Sequence, residues 1–352
     1  MKGIDNMKRI WIWLLICLLP YTALAEKQLT LTFVGDCTIG GEDRLREEDF
    51  SFDAYLEKYG YDYFFEKVQP VIGRDDVTVA NLESVLINYS SGRVEKTYNF
   101  RGPKHYVNVL TSSSVEAVNI CNNHTYDYGG DGVLHTVKTL NEAGQGWFGT
   151  NDTVKQPWVF EKEGMKVGFV GAEITFWYYG NRNLMRSQIE KLKAEGCQVV
   201  VAVMHGGIEY ATRHEKAQRL FAESAMEYGA DIVIGHHPHV LQGIDVMNGK
   251  TVCYSLGNFV FGGNAKIRAP YTALFRFTLS FDDDNRYLGH QLNILPALPS
   301  GEREYNNYQP VLAAGEDALN VMAQIQYDTP FQLKPYVEGV GAVQDFVPVC
   351  NE

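Results

Sequence analysis

Residues 231–245 read DIVIGHHPHVLQGID, a short apolar run followed at once by a cluster of histidines. The run Ile232–Ile234 predicts a buried strand, which Gly235 ends. In open α/β sheets, ligands bind in the crevice at the carboxyl ends of the strands. A metal site or a phosphate-like site is therefore predicted directly after this strand. A loop of hydrogen-bonded histidines is the alternative. The histidines are His236, His237 and His239.

The pair His237 and His239 carries most of this prediction. In an extended backbone, residues two apart place their side chains on the same side, and Pro238 between them would stiffen the loop. Neutral imidazole is a ligand for Zn, Mn and Fe. The spacing thus favours two imidazoles that face one ion.

Similar apolar runs alternate with helical patterns along the chain, and no repeat or linker interrupts them. This alternation is typical of layered α/β folds. Residues 84–104 are polar and irregular, which predicts a long loop over the site, and Glu316–Gln326 predicts one late helix. The predicted strands are Leu29–Val34, Val77–Ala80, Val115–Ile120, Val167–Gly171, Gln198–Val203, Ile232–Ile234 and Thr251–Tyr254, followed by a hairpin of Leu274–Phe281 and Tyr287–Ile294.

Five of these strands end in side chains that bind metals. Each side chain alone has an ordinary explanation, such as a turn, a solvated carboxylate or a core histidine. Together they supply carboxylate, amide oxygen and imidazole in the order used by two-metal hydrolytic sites, where a bridging water becomes the nucleophile. These side chains are Asp36, Glu83, Asn123 with His124, His205, and His237 with His239.

The N-terminal residues 1–25 predict a secretory signal. Lys8 and Arg9 precede an apolar run, and the small-residue end Ala23-Leu24-Ala25 places the cut after Ala25. The run is short for a membrane span, which needs about 18–20 apolar residues. The protein is expected to be secreted, periplasmic or on the cell surface, with an uncleaved membrane anchor as the alternative.

The charge and the cysteines exclude several classes of protein. The net charge is −12 and becomes more negative when the signal is removed. An acidic surface argues against nucleic-acid binding and against a polybasic membrane patch. The cysteines are scattered, and five remain after the signal. They do not form the pattern of a disulfide framework, so most are expected to be buried thiols.

Six motifs follow one another along the chain: GDCTIGG, ANLES, NNHTYDYG, HGGIEY, GHHPHV and YSLGNFVFG. They resemble those of a known family, the CapA family of capsule-synthesis proteins. That family is associated with poly-γ-glutamate capsules and belongs to the calcineurin-like metallophosphoesterase superfamily. The resemblance runs from about Leu29 to Gly262.

The resemblance implies a metallophosphoesterase-like four-layer β-sandwich flanked by helices, with its metal site at the carboxyl ends of the strands. We expect one such domain over residues 26–300, with residues 301–352 as a C-terminal extension packed on it. One or two divalent ions, Mn, Zn or Fe, are implied. The implied ligands are Asp36 and His239 for the first metal, Asn123, His205 and His237 for the second, and Glu83 in the bridging place.

The resemblance also implies that His124 is the general acid, with Asp127 as its orienting partner. The chain departs from the superfamily at two positions. Thr38 stands where a histidine ligand is usual, and Glu83 stands where the bridging residue is an aspartate. The site of the first metal is therefore expected to be weakened, whereas that of the second has its full set of ligands.

Three functional hypotheses follow. The first is a metal-dependent hydrolase that acts on a phosphoester or a γ-glutamyl bond of an anionic extracellular polymer or a phosphorylated precursor. Poly-γ-glutamate is implied only by the resemblance. The second is a non-catalytic polymer-binding subunit that works with membrane-bound capsule synthase subunits. The third, a serine hydrolase, rests only on Ser255, which lacks the G-x-S-x-G spacing.

Two further features have competing explanations. Glu209 and Tyr210 follow the His205 strand and would either line the pocket or cap a helix. Arg101 and Lys104 would either meet an anionic substrate or be solvated.

Overall fold

The computed structural model of the chain describes residues 27–150, 153–175 and 180–350. The predicted signal lies outside these residues. The strands are β1 Lys27–Thr38, β2 Val77–Leu82, β3 Val85–Leu86, β4 Arg101–Gly102, β5 Ala117–Asn119, β6 Gly146–Thr150, β7 Lys155–Gln156, β8 Trp158–Lys162, β9 Met165–Glu173, β10 Val199–His205, β11 Ile232–His236, β12 Ile244–Met247, β13 Lys250–Cys253, β14 Asn258–Phe261, β15 Thr272–Phe281, β16 Tyr287–Leu298, β17 Val311–Leu312 and β18 Ala342–Pro348.

The α-helices lie mostly between strands, as the alternation predicts. Short 3₁₀ helices add turns at Asp43–Leu45, Asp62–Phe64 and Lys104–Val107. Residues 84–104 are irregular apart from β3 and β4, which pair with each other. The α-helices are α1 Phe52–Tyr59, α2 Gln69–Ile72, α3 Asn108–Thr111, α4 Gly129–Glu142, α5 Gly180–Ala194, α6 Lys216–Glu227 and α7 Gly315–Tyr327.

One large sheet contains most of the strands, in the order β12-β13-β11-β10-β9-β6-β5-β2-β1-β15-β16-β17. The strands from β1 to β13 along this path are parallel to their neighbours. Their carboxyl ends therefore lie along the same edge. The antiparallel hairpin β15–β16 extends the sheet beyond β1, as predicted from its alternating pattern.

The sheet curls so that its two halves face each other across one core. Leu31 and Phe277 from the β1–β15 half share that core with Val201 and Ile234 from the β10–β11 half. Helices α1, α3 and α4 cover the outer face of the first half, and α5 and α6 cover that of the second. The layers are thus helix, sheet, sheet and helix, which confirms the predicted α/β sandwich.

The C-terminal region contributes to the same core. Val321 and Ile325 on α7 are buried in the cluster between the two halves of the sheet. The following strand, β18, pairs with β16. Helix α7 extends the predicted helix by one residue at each end.

None of the described helices is long and apolar enough to cross a membrane. The cysteines within the described residues are free thiols. Four of them are buried and Cys350 is exposed, as their positions in apolar runs predict.

His290 links the two halves of the curled sheet. It lies on β16, its side chain is buried, and its Nε2 is 2.7 Å from the Thr251 hydroxyl on β13. The hydroxyl of Tyr287 is 2.5 Å from its Nδ1. Burial lowers the pKa of His290 to about 4. In the unfolded chain the pKa of histidine is about 6.5.

We predict that His290 makes the fold sensitive to acid. Its neutral form is favoured in the folded state, so its contribution is complete above pH 6.5 and is lost as the pH falls from 6.5 to about 4. The loss is at most about 3 kcal/mol. Urea unfolding of metal-free protein at several pH values should show a flatter dependence for His290→Gln than for wild type. Equal slopes in that window would contradict this role.

Candidate metal centre

The carboxyl ends of the parallel strands approach one another closely because glycines precede them. A Cβ at Gly35 would lie 2.1 Å from the carbonyl oxygen of Gly257, and a Cβ at Gly235 would lie 2.0 Å from that of Tyr254. No side chain fits at either position. The residues that follow, Asp36 and His236, are therefore drawn into one buried cluster.

Four of the predicted ligands form what we call the His205 half-site: Glu83, Asn123, His205 and His237. The Nε2 atom of His205 is 2.9 Å from Asn123 Oδ1, 3.2 Å from His237 Nδ1 and 3.6 Å from Glu83 Oε1. Two imidazoles, a carboxylate and an amide oxygen thus converge on one point. This donor set suits Zn, Mn or Fe.

The two remaining predicted ligands, Asp36 and His239, form a second group with Glu83, which we call the Asp36 half-site. One ligand atom from each lies within 4.8 Å of the others. His239 Nδ1 is 3.2 Å from Asp36 Oδ2, and His239 Nε2 is 3.9 Å from Glu83 Oε1. Glu83 belongs to both half-sites, as expected of a bridging residue.

Glu83 is the least satisfied group in the cluster. It is fully buried, and neither carboxylate oxygen has a hydrogen-bond partner among the described residues. Burial raises its pKa well above the ordinary value. Leaving a buried charged group without a partner costs several kcal/mol. A divalent cation would supply the missing partner, so the residues fit a metal ion.

The imidazoles of the His205 half-site are held neutral. Burial lowers the pKa of His205 well below its ordinary value, and His237 beside it adds to the effect. Burial also lowers the pKa of His237 to about 4. Both rings therefore have a lone pair available at neutral pH, which ligation requires.

The loop that carries His237 and His239 is strained. Their φ angles are 96° and 59°, in the left-handed region, so the expectation of an extended backbone is wrong. Both rings nevertheless face the cluster, with centroids 5.9 Å apart. Such conformations cost about 1–3 kcal/mol each and occur mainly at functional sites.

His124 and Asp127 contact each other beside the cluster. His124 Nδ1 is 2.8 Å from Asp127 Oδ2, and His124 Nε2 is 3.8 Å from Glu83 Oε1. The ring packs against Phe100, with centroids 4.3 Å apart. Burial lowers the pKa of His124 despite the hydrogen bond to Asp127. His124 is thus beside the donor atoms without belonging to either half-site.

Asp127 also anchors the irregular segment 87–100 over the site. The backbone N–H of Phe100 donates to Asp127 Oδ2 at 2.5 Å, and Lys96 Nζ is 2.5 Å from Asp127 Oδ1. The backbone N–H of Val94 donates to the carbonyl of Asp127. One buried carboxylate therefore orients His124 and holds the covering segment.

Asn81 contacts the cluster and was not among the residues predicted from the sequence. Its Nδ2 is 2.8 Å from Asp36 Oδ1 and 3.1 Å from His205 Nδ1, so it touches both half-sites. Asn119 Nδ2 donates to Asn81 Oδ1 at 2.8 Å and fixes the amide. The sequence signal that could have indicated Asn81 was its position in the ANLES motif, two residues before Glu83.

Two more supporting residues were also missed. His236 Nδ1 is 3.2 Å from Asp36 Oδ1, and Asn258 Oδ1 is 2.8 Å from His239 Nδ1. Burial alone would raise the pKa of Asp36, but its contacts with His236 and His239 hold it well below the ordinary value. His236 was visible in the histidine cluster, and Asn258 in YSLGNFVFG.

Three other candidate residues do not point into the cluster. The Thr38 hydroxyl is 3.4 Å from the backbone carbonyl of Glu83 and is not a donor to the cluster. Ser255 is buried, and its hydroxyl accepts a hydrogen bond from Gly257 N–H at 3.4 Å. Arg101 pairs with Asp43 at 2.6 Å. No described histidine hydrogen-bonds to Ser255, so the serine hydrolase hypothesis gains no support.

A family model described as "Bacterial capsule synthesis protein PGA_cap" matches residues 30–263. The chain belongs to this family. The match covers every predicted ligand, together with His124, Asp127 and Asn81. It confirms the resemblance inferred from the motifs.

Relatives from Bacillus agree with this membership. The chain is 30% identical over 274 residues to a protein of Bacillus anthracis called "Capsule biosynthesis protein CapA", with 71% of this chain and 64% of that protein covered. It is 28% identical over 294 residues to "PGA biosynthesis protein CapA" of Bacillus subtilis, with 78% and 74% covered. The chain thus spans somewhat less than two thirds of the first relative.

A shorter match is to a relative named as a metallophosphoesterase. It is 32% identical over 87 residues to a "Probable metallophosphoesterase" of Mycoplasma pneumoniae, with 23% of this chain and 52% of that protein covered. A solved structure of a hypothetical protein from Thermus thermophilus aligns with a TM-score of 0.48 at 15% identity, covering 76% of this chain and 99% of that one.

Proposed function

We propose that this protein is an extracytoplasmic, metal-dependent hydrolase of capsule or poly-γ-glutamate biosynthesis or processing. The observation that carries the proposal is the Glu83 carboxylate, which is buried between two half-sites without a hydrogen-bond partner in the described residues. Membership of the capsule synthesis family supports the biological setting.

The two half-sites would hold one or two Mn, Zn or Fe ions. Bound ions of this kind activate water as a nucleophile near neutral pH. The protein's own part is to bind, to orient and to deliver a proton. The ligands would be Asp36, Glu83, Asn123, His205, His237 and His239.

His124 would give a proton to the leaving group. Asp127 holds its Nδ1, so Nε2 is the nitrogen that faces the cluster. Phe100 packs on the ring and limits its rotation. A positioned general acid contributes about 10²–10⁴-fold to a rate.

The substrate class would be a phosphoester or a γ-glutamyl amide in an anionic polymer or a phosphorylated precursor. The name of one relative, "Probable metallophosphoesterase", supports a phosphoester. The names "Capsule biosynthesis protein CapA" and "PGA biosynthesis protein CapA" support a capsule polymer as the setting. Membrane-bound capsule synthase subunits would be the protein partners.

A second candidate is a non-catalytic polymer-binding subunit of the same system. The observation in its favour is Thr38, whose hydroxyl turns to the Glu83 carbonyl and leaves the Asp36 half-site with three donors. If the Asp36 half-site is weakened, an ion in the His205 half-site would still bind an anion but would not support efficient chemistry.

Export is the part of the proposal that rests on residues 1–25. Lys8 and Arg9, the apolar run and Ala23-Leu24-Ala25 support it. Protein purified from a native-like secreting host should begin at Glu26 when its N-terminus is sequenced. A cytoplasmic product that retains Met1 or Met7 would contradict export.

We predict that a divalent metal stabilises the fold. A ligand that binds only the native state adds about 2.7 kcal/mol to the free energy of unfolding at a hundredfold excess over Kd. Chelator should therefore lower the melting temperature, and Mn²⁺ or Zn²⁺ should restore it. His237→Ala should abolish the response.

His290→Gln is the matched control, because His290 is a buried histidine on β16 and contacts Thr251 and Tyr287. It should keep the metal response even if it lowers the melting temperature. Identical melting curves for chelated and metal-loaded wild type would end the proposal of a metal centre.

We predict that His124→Ala separates catalysis from metal binding. His124 is outside both half-sites, so the variant should keep the metal-dependent melting shift. Turnover of a generic phosphodiester or of poly-γ-glutamate should fall by about 10²–10⁴-fold. The control is His105→Ala, since His105 is exposed and contacts Tyr61.

Loss of the metal response in His124→Ala would make His124 a ligand and overturn its assignment as acid. If wild type binds metal and polymer but turns over neither substrate, the polymer-binding candidate is favoured instead.

A further inference from the structure

The Asp36 half-site has no ligand from position 38, because the Thr38 hydroxyl does not point into it. Its donors are Asp36, Glu83 and His239. Thr38 is fully buried and its hydroxyl is directed to a backbone carbonyl. A divalent transition metal usually takes four or more ligands from protein and water. The three protein donors of this half-site fall short of that number.

The segment after β10 lies beside the loop that carries His237 and His239. The backbone N–H of Tyr210 donates to the carbonyl of Pro238 at 2.7 Å, which ties the segment to the loop of His237 and His239. Tyr210 itself has a φ of 61°, in the left-handed region. Its ring centroid is 6.1 Å from that of His239. The preceding residue, Glu209, is thereby held beside that loop, on its exposed side.

Glu209 offers a carboxylate to both half-sites. One of its oxygens and one ring nitrogen from each of His237 and His239 all lie within 4.8 Å of one another. The side chain is exposed, and the described residues give it no hydrogen bond and no ion pair. It is therefore free to turn toward a cation without breaking another contact.

The alternative role of Glu209 as a helix cap is excluded. The next helix, α6, begins at Lys216, and its N-cap is Glu215, which forms a capping box with Gln218. Glu209 lies six residues before that cap.

We propose that Glu209 is a further metal ligand, which binds a divalent ion at the mouth of the centre together with His237 and His239. His237 belongs to the His205 half-site and His239 to the Asp36 half-site, so this carboxylate would add a donor beside both. The proposal rests on the metal centre of the proposed function and adds a ligand to it. Carboxylate oxygen and imidazole are ordinary partners on Zn and Mn.

The test measures metal binding without turnover. Metal-free wild type is titrated with Co²⁺, and both affinity and the visible d–d spectrum are recorded, since the spectrum reports the ligands. Glu209→Gln should weaken binding by at least about tenfold, the lower range for loss of a supporting partner, and should change the spectrum. Glu209→His, which keeps a ligand but removes the charge, should recover part of the affinity.

Two control variants are titrated with Co²⁺ in the same way. Glu227→Gln removes an exposed carboxylate at the end of α6 and should behave as wild type. Glu83→Gln removes the shared ligand and should lose most binding. Circular dichroism and melting of the metal-free proteins should show that Glu209→Gln folds as wild type does, because the side chain is exposed.

The outcomes are distinguishable. If wild type binds no Co²⁺, the metal centre itself fails. If wild type binds and Glu209→Gln matches it, only this proposal is overturned. If Glu209→Gln weakens binding but leaves the spectrum unchanged, Glu209 acts through its charge alone and is not a ligand, which also overturns the proposal.

Discussion

The Glu83 carboxylate is the group on which the rest of the centre depends. It is fully buried, and neither oxygen has a donor among the described residues. Both half-sites use it, because His205 Nε2 and His239 Nε2 lie 3.6 and 3.9 Å from the same Oε1 atom. A buried carboxylate without a cation destabilises a fold. The burial of Glu83 between the two half-sites is explained if a divalent cation normally neutralises its carboxylate.

The surrounding structure holds the donors in place before any ion binds. Asn81 donates to Asp36 and contacts His205, so one amide ties the two half-sites together. His237 and His239 keep left-handed backbone conformations that only a well-packed loop can maintain. Outer partners of this kind fix the orientation of metal ligands and are worth about 10–100-fold in affinity. The centre is thus preorganised by buried amides and by strain.

The sequence predicts the site better than it predicts the contacts that support it. Asp36, His205 and His237 each follow an apolar run within three residues, so their place near strand ends is a local property. The role of Asn81 depends on Asp36 and His205, which are 45 and 124 residues away. It appears only once the sheet has curled. The left-handed loop was also not predictable, since it depends on tertiary contacts such as that between Tyr210 and Pro238.

The geometry around His124 bears on whether the centre catalyses or only binds. A polymer-binding subunit needs cations and a surface, but it has no need of an imidazole beside the metal donors. Here the buried Asp127 contacts the His124 imidazole, and it also anchors the segment that carries Lys96 and Phe100. This arrangement fits the proposed role of His124 as an acid better than it fits binding alone.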